Sequence, residues 1–365
     1  MSQTKFMVVS GFLGAGKTTT MIAMAECING RNGNAAIIAN DLGANLVDTN
    51  LTQTTGCKVV EIASGCICYQ MDNLVDQVRR LRDKDGARFI MSDIPGCGVG
   101  ALEHVYHPLA RDCADEISLA PFMVVADPER LRMIMPEKAD INLPEELVYL
   151  LKLQLEEADL VVLNKIDLLT EEDIARYVDF LKTACPDIPV ICISARERTN
   201  IDELVDFVTT KLSAVKNFKV NYDEKFDQAE GKLTWYNRRL FFKTNSSAAI
   251  DYNAVIDDMI ESIRMGLIER KRNVPHLKTF ATAHEDGSDF SKASLIGVDY
   301  DTEYERTLER EHDKVRMIIN ARAVCESRPL ARIVDDAVDE VCDRYDLDCQ
   351  IFFTECFGMT DEGRR

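Results

Sequence analysis

Histidine is scarce in this chain: there are five among 365 residues and no histidine-rich tract, which excludes a histidine-based metal store. Long apolar runs are also missing. No stretch of about 18 apolar residues occurs, so no segment is expected to span a bilayer as a helix. The N-terminus runs straight into the apolar Lys5 to Ser10 without the regions of a secretory signal, and a cytoplasmic protein is expected. Cationic charge is in deficit, with 43 Lys and Arg against 62 Asp and Glu. The resulting net charge of −19 lacks the counterion-releasing surface that nonspecific binding to nucleic acid or to an anionic membrane requires, so neither partner is expected. Internal repeats and low-complexity segments are absent too. The length exceeds one ordinary core and predicts about two domains.

Cysteine, by contrast, is plentiful, at twelve. In a long chain with no export signal these are expected as reduced thiols, some of them available to a metal. Over the first two hundred residues apolar segments alternate with helical patterns. The strands are expected at Lys5 to Ser10, Ala35 to Ala39, Lys58 to Ile62, Phe89 to Ser92, Phe122 to Ala126, Leu160 to Leu163 and Val190 to Ile193. That is the βαβ rhythm of a mostly parallel α/β sheet. The domain is expected over residues 1–213, followed by a polar, aperiodic linker at 214–237. Residues 238–365 then read as a small α+β domain of ferredoxin-like type. Its strands are expected at Leu240 to Thr244, Leu277 to Ala283, Ser294 to Asp299, Val315 to Ala321 and Gln350 to Thr354, with helices at Tyr252 to Arg270 and Leu330 to Tyr345.

The segment Gly11 to Thr18 matches GxxxxGK[ST] between a strand and a helix, the pattern of a phosphate-binding P-loop. Gly11, Gly14 and Gly16 let the backbone around Ala15 curl until several N–H groups point at a phosphate, backed by the helix that Thr19 continues. Lys17 would reach the β and γ oxygens and Thr18 would ligate Mg²⁺. Asn164-Lys165-Ile166-Asp167 follows a strand as a guanine reader would. Asp167 accepts from guanine N1–H and its exocyclic amine, a pattern adenine inverts, so GTP is expected over ATP. Asn164 would brace the loop, Lys165 would cover the base plane, and Ser194-Ala195 would offer a backbone N–H to guanine O6. Asp93, in Asp93-Ile94-Pro95-Gly96, would hold Mg²⁺, and the Gly96 N–H would meet the γ-phosphate, making a switch. Asp41 supplies another carboxylate near the metal, although a cap or an Asx turn is an equal alternative for Asp41 and Asp48. No residue presents itself as the base for the attacking water, so turnover is expected to be slow without a partner or dimerisation.

Four sulfurs occur within or beside the presumed switches: Cys57, Cys66, Cys68 and Cys97. Thiolates suit Zn²⁺ and related ions, and loops that sense GTP would couple metal affinity to nucleotide state. His104 and His107 would add an imidazole. For each of these cysteines a small buried hydrophobe is the competing reading. Cys27, Cys113, Cys185, Cys192, Cys325, Cys342, Cys349 and Cys356 are expected as core filler or surface residues, and the acidic stretch Glu303 to Glu311 as a solvated face.

Gly11 to Thr18, Gly65-Cys66-Ile67-Cys68 and Asn164 to Asp167 together resemble the CobW/HypB/UreG family of P-loop GTPases, most closely its CobW branch, over about the first 210 residues. The resemblance implies a GTPase domain that handles a transition metal (Zn, Co or Ni), in many members as a metallochaperone, and a small C-terminal domain for partner recognition. It also implies pairing through the nucleotide face, hence a homodimer, and a client metalloprotein. Two features depart from the family pattern. Tyr69 replaces the third cysteine of C-x-C-C, leaving Cys97 or Cys57 to substitute, and Asp93 stands where the family usually has Glu. A GTPase that loads a corrinoid (cobalamin)-dependent enzyme is the second reading. A GTP-responsive binding module with inert cysteines is the third.

Overall fold

Strands with both faces covered need apolar side chains on both, and the first half of the chain supplies them. The computed structural model describes residues 3–12, 14–40, 57–62, 67–94, 98–135, 145–221, 233–246, 248–272, 276–295 and 297–358. The chain divides into two units, Met1–Tyr222 and Asp223–Arg365. In the first, β1 (Thr4–Gly11), β2 (Ala35–Ala39), β3 (Lys58–Glu61), β4 (Phe89–Asp93), β5 (Ile117–Leu119), β6 (Met123–Ala126), β7 (Leu160–Leu163) and β8 (Val190–Cys192) form one parallel sheet. Its order is β3-β2-β4-β1-β6-β7-β8, with β5 beside β1. Alternation along β1 splits the core in two. Phe6 and Val8 enter one cluster with Ile38, Ile90 and Leu102, while Met7 and Val9 enter the other with Met24, Ile37 and Met91.

Strand order turns around at β1, the central strand, and Gly11, Ala39, Asp93, Ala126 and Leu163 all end on the same edge. An open α/β sheet binds ligands at this edge. Helix α1 (Lys17–Gly30) starts there, and no acidic side chain in its first turn compensates its positive end. The expected strands of this unit appear within a residue or two of their places. The short β5 was not anticipated, because three residues at Ile117 give too little pattern to read.

The second unit is antiparallel, as expected for α+β. It contains β9 (Leu233–Thr244), β10 (His276–Ala283), β11 (Phe290–Leu295), β12 (Glu303–Arg306), β13 (Lys314–Val324) and β14 (Leu347–Gly358) in the order β12-β11-β10-β13-β9-β14. The helix Tyr252–Glu269 joins β9 to β10 and the helix Ser327–Tyr345 joins β13 to β14, giving the split β-α-β pair of a ferredoxin-like sandwich, extended at one edge by β11 and β12.

Three expectations need correction here. The strand placed at Ser294 to Asp299 runs earlier, at Phe290–Leu295. Glu303–Arg306, read as a solvated acidic face, is the edge strand β12, and its alternate side chains remain exposed. The expected linker 214–237 overlaps β9, which already begins at Leu233. Polar side chains hid that strand, because Asn237 and Arg238 are buried through pairing: Asn320 donates to Asn237 at 2.7 Å, and Arg238 meets Asp335 at 2.6 Å. At the other end of the linker, Lys216 Nζ donates to the carbonyls of Glu156 and Ala158, both at 2.7 Å, and Val220 is buried. No helix among the described residues is long and apolar enough to cross a membrane.

Candidate nucleotide and metal site

The phosphate loop begins where β1 ends. Gly11 has φ +132°, and a Cβ there would stand 2.0 Å from the Val125 carbonyl oxygen of neighbouring β6, so only glycine fits between the strands. Gly14 (φ +81°) and Gly16 (φ +94°) continue the left-handed curl into α1. Ala15 N–H closes the turn onto the Phe12 carbonyl at 3.2 Å. Lys17 Nζ donates to the carbonyls of Gly11 (2.8 Å) and Phe12 (3.2 Å), which holds the ammonium at the loop itself. Thr18 and Thr19 are half-buried, whereas Thr20 is turned inward, its hydroxyl donating to the Gly16 carbonyl at 2.9 Å. The Ser10 hydroxyl is fully buried and finds no partner among the described residues. A glycine curl, a lysine and an uncompensated helix start make a donor set that fits a phosphate chain.

Asn164 ties that loop to the presumed base reader. Its Nδ2 donates to the Ala15 carbonyl at 2.8 Å and its Oδ1 accepts the Ala195 N–H at 2.9 Å. Lys165 adopts the left-handed conformation (φ +63°), which sharpens the turn, and Asp167 is exposed. Ile166 N–H donates to the Ile193 carbonyl at 3.2 Å, fixing this loop to the one after β8. Ser194 and Ala195 lie beside the reader as expected, but act as braces. The Ser194 N–H is committed to the Thr199 carbonyl and the Ala195 N–H to Asn164, so neither points outward to a base in this structure.

On the other side of β1, Asp93 ends β4, 6% exposed, and its Oδ1 accepts the Asn40 N–H at 2.7 Å. Asn40, buried at the end of β2, donates from Nδ2 to the Ile62 carbonyl (3.2 Å) and accepts the Ile67 N–H on Oδ1 (3.0 Å). Ile67 opens the 3-10 turn Ile67–Tyr69 that carries the half-buried Cys68. One asparagine therefore joins the magnesium-ligand candidate to the sulfur-bearing turn. Further along the chain from Asp93, two side chains of the helix Glu145–Glu157 anchor the segment at Gly98 to Leu102. Gln154 donates to the Gly98 carbonyl at 3.0 Å, and Glu157 accepts the N–H groups of Gly100 (2.9 Å) and Leu102 (2.7 Å). Burial pushes the Glu157 carboxyl up to about 7 in spite of those two donors.

Cys57 does not belong to this site. It precedes β3, at the edge of the sheet opposite the phosphate loop, is 1% exposed, and donates from Sγ to the Ala35 carbonyl at 2.9 Å. Burial pushes its thiol up to about 12, as in a cysteine packed as a small core residue. His104 lies in the π-helical turn Leu102–Tyr106 and His107 begins the next helix; both are half-buried. Asp41, Asp48, Cys66, Pro95, Gly96 and Cys97 fall outside the described residues. Among the described residues no three His, Cys, Asp or Glu side chains gather as a metal site would need.

Asp127 was not singled out from the sequence. It follows β6 on the same edge, 1% exposed, and its Oδ1 caps the helix Pro128–Ile134 by accepting from Glu129 N (3.0 Å) and Arg130 N (3.3 Å). Its Oδ2 is buried and finds no partner among the described residues. Asp followed by Pro after an apolar run is a cap signal legible in the sequence; the orphaned second oxygen is not.

A family model for the CobW/HypB/UreG nucleotide-binding domain matches residues 5–192, just over half of the chain. The zinc chaperone CobW of Pseudomonas aeruginosa is 29% identical over 191 residues, covering 46% of this chain and 50% of that protein. The zinc-regulated GTPase metalloprotein activator 1 of Schizosaccharomyces pombe is 26% identical over 175 residues, covering 45% and 39%. This chain thus spans about half the length of the curated relatives it matches. Among solved structures, Zn(II)-bound YjiA GTPase from E. coli is similar at 15% identity and a TM-score of 0.37, over 93% of this chain and 99% of that one. HypB from Helicobacter pylori in complex with nickel is similar at 13% and 0.40, over 56% and 86%. With the glycine loop, its lysine and the asparagine brace all inside the matched segment, the chain belongs to the CobW/HypB/UreG family, and residues 5–192 are its nucleotide-binding domain.

Proposed function

We propose that this chain binds Mg²⁺-GTP at Gly11 to Thr18, hydrolyses it, and couples loss of the γ-phosphate to the transfer of a transition metal to a client metalloprotein. Lys17 would draw charge from the β and γ oxygens, Thr18 and Asp93 would hold Mg²⁺ with Asp41 nearby, and the Gly96 N–H would sense the γ-phosphate. Magnesium would supply neutralisation of the charge that builds on the transferred group. Asp167 would select guanine. Zinc is the first metal to test, because curated relatives are named as zinc chaperones, and Cys66, Cys68 and Cys97 are the sulfurs we would test as its ligands. The cytoplasm, where thiols stay reduced, and pairing of two copies over the nucleotide face complete the reading.

The observation that carries the coupling is the Asn40 bridge, since a shift of Asp93 with the nucleotide would be felt at Ile67 and hence at Cys68. The test is the zinc affinity of the magnesium-loaded protein, measured with a non-hydrolysable GTP analogue and again with GDP. A tenfold or larger difference, about 1.4 kcal/mol of coupling, is expected. Equal affinities would remove the coupling and leave a GTP-binding protein whose thiols are bystanders.

A further inference from the structure

The antiparallel sheet of the second unit has two unlike faces. Side chains alternate along a strand, so Tyr236, Leu240 and Phe242 of β9 and Val315, Met317 and Ile319 of β13 point into the apolar cluster shared with the two helices. The residues between them face the other way. On the adjacent inner strands β10, β13 and β9 that outward row carries Arg239, Lys243, Lys278, Lys314, Arg316 and Arg322, and no carboxylate. The helices have the opposite balance, with nine carboxylates against four cations on Tyr252–Glu269 and Ser327–Tyr345. In a chain of net charge −19 this sheet face is a cationic exception.

Its two ends differ. Trp235 and Arg322 are buried at one end, the guanidinium lying over the indole at 5.6 Å. Around Phe241 the face is open. Phe241 stands opposite Arg316 of β13 and Gln350 of β14, and its ring meets His284 at 5.1 Å and Phe352 at 6.5 Å, both edge to face. The register of β14 shifts between Ile351 and Phe353, leaving Phe352 68% and Phe353 45% exposed. Lys243, on the same strand as Phe241, and Arg316 are both exposed and make no ion pair among the described residues. The carboxylates nearby are Asp348, opposite Lys243 on β14, and Glu285 and Asp313, both beside Lys314. Lys243 and Lys314 are directly opposed across paired strands, a like-charge pairing that costs stability and that a bound anion would relieve.

We propose that this face docks a short acidic segment of another protein, with carboxylates on Lys243 and Arg316 and an apolar side chain against Phe352 and Phe353. Exposed apolar rings rimmed by polar groups mark an interaction surface, and the sign of the surrounding charge selects the partner. A single-stranded nucleic acid is also anionic, but its bases need open ring faces to stack on. On this face Phe290 is already stacked on Phe280 at 5.2 Å with the Arg306 guanidinium at 4.2 Å, and Arg239 lies over Phe353 at 5.8 Å. A long polyphosphate would also meet the repulsion of the whole acidic chain. A short peptide feels chiefly the cations within a Debye length, about 8–10 Å at ordinary salt.

The test uses the full chain and a fluorescein-labelled peptide rich in glutamate and containing phenylalanine. The same peptide with glutamine for every glutamate, the same with lysine, and an oligouridylate of similar length are the comparisons. Fluorescence anisotropy should show saturable binding of the glutamate peptide, weakened by about tenfold or more in the double variant Lys243→Glu, Arg316→Glu, and weakened also in Phe352→Ser. The lysine peptide should bind the double variant more tightly than wild type. All three replaced side chains are exposed, so circular dichroism should match wild type. The proposal is overturned if the glutamine peptide binds as tightly as the glutamate peptide, if charge reversal leaves the affinity unchanged, or if oligouridylate binds more tightly than the glutamate peptide. Dimerisation that the double variant abolishes, with no peptide bound by wild type, would give the face to a second copy and overturn it as well.

Discussion

Asn40 donates its backbone N–H to Asp93 Oδ1 at 2.7 Å, and its side chain holds the strand end at Ile62 and the turn at Ile67. The backbone bond survives any substitution except proline, so the two roles of Asn40 are separable. In Asn40→Ala the Ile62 carbonyl and the Ile67 N–H lose their partner. Leaving buried groups unpaired costs about 1–3 kcal/mol, which should appear as a lower denaturation midpoint. GTP affinity should change little, while the dependence of zinc affinity on nucleotide should vanish. Retention of that dependence would show that the bridge is structural only.

The two glycines at the ends of the phosphate loop should fail differently. Gly11→Ala drives a Cβ to 2.0 Å from the backbone oxygen of Val125, between paired strands that cannot part without breaking the ladder. Loss of folded protein is expected, at a cost above about 3 kcal/mol. Gly16→Ala meets only the Asn164 Nδ2 at 2.3 Å, a side chain that can swing away. The protein should fold, with a strained φ of +94° worth about 1–2 kcal/mol, but should lose the brace between phosphate and base loops. Circular dichroism together with nucleotide titration separates the two cases.

Most of the first unit was legible because parallel strands covered on both sides read as near-continuous apolar runs, and each glycine and lysine of the loop has a local reason to be where it is. What was not legible depends on contacts distant in sequence. Cys57 reads as a thiol beside the switches because it falls between the two presumed switch segments in the chain, but the sense of β3 puts it at the other end of the strands from the phosphate loop. Ser194 and Ala195 follow β8 beside the loop after β7, yet the partner that takes the Ala195 N–H, Asn164, lies 31 residues away. Arg238 and Asn237 disguised the first half of β9 as linker, since their burial depends on Asp335 and Asn320.

Glu157 gives the protein a pH dependence of known sign. An unfolded glutamate titrates near 4.3, whereas burial holds this one at about 7. Between those values the folded state keeps a proton that the unfolded state has released, so this residue's contribution to stability falls as pH rises from about 4.5 to about 7 and is level above, by a total on the order of a few kcal/mol. Glu157→Gln removes the ionisation while keeping one acceptor for Gly100 or Leu102. Denaturant midpoints of variant and wild type, taken from pH 5 to 8, should show the variant gaining relative to wild type as pH rises. A pH-independent difference would mean that the carboxyl is ionised throughout.

Asp167 allows the choice of base to be tested by inversion. A carboxylate accepts from both guanine N1–H and the 2-amino group; an asparagine at the same place presents one acceptor and one donor, so its amide faces the guanine amine with like polarity. Asp167→Asn should therefore lose GTP affinity by about 100-fold or more, as sites built for specific hydrogen bonds do when one is reversed. Xanthosine triphosphate carries a carbonyl where guanine has the amine, and the new amide can donate to it, so the variant should prefer xanthosine over guanosine triphosphate. Asp167 is exposed, and its replacement leaves the Asn164 brace between Ala15 and Ala195 untouched, so thermal stability should not move. Asn164→Ala is the contrast: it removes that brace and should weaken both nucleotides alike without changing the preference. If Asp167→Asn instead keeps the wild-type preference for guanosine, base reading belongs to another segment, and the exposed loop after β7 is only a turn.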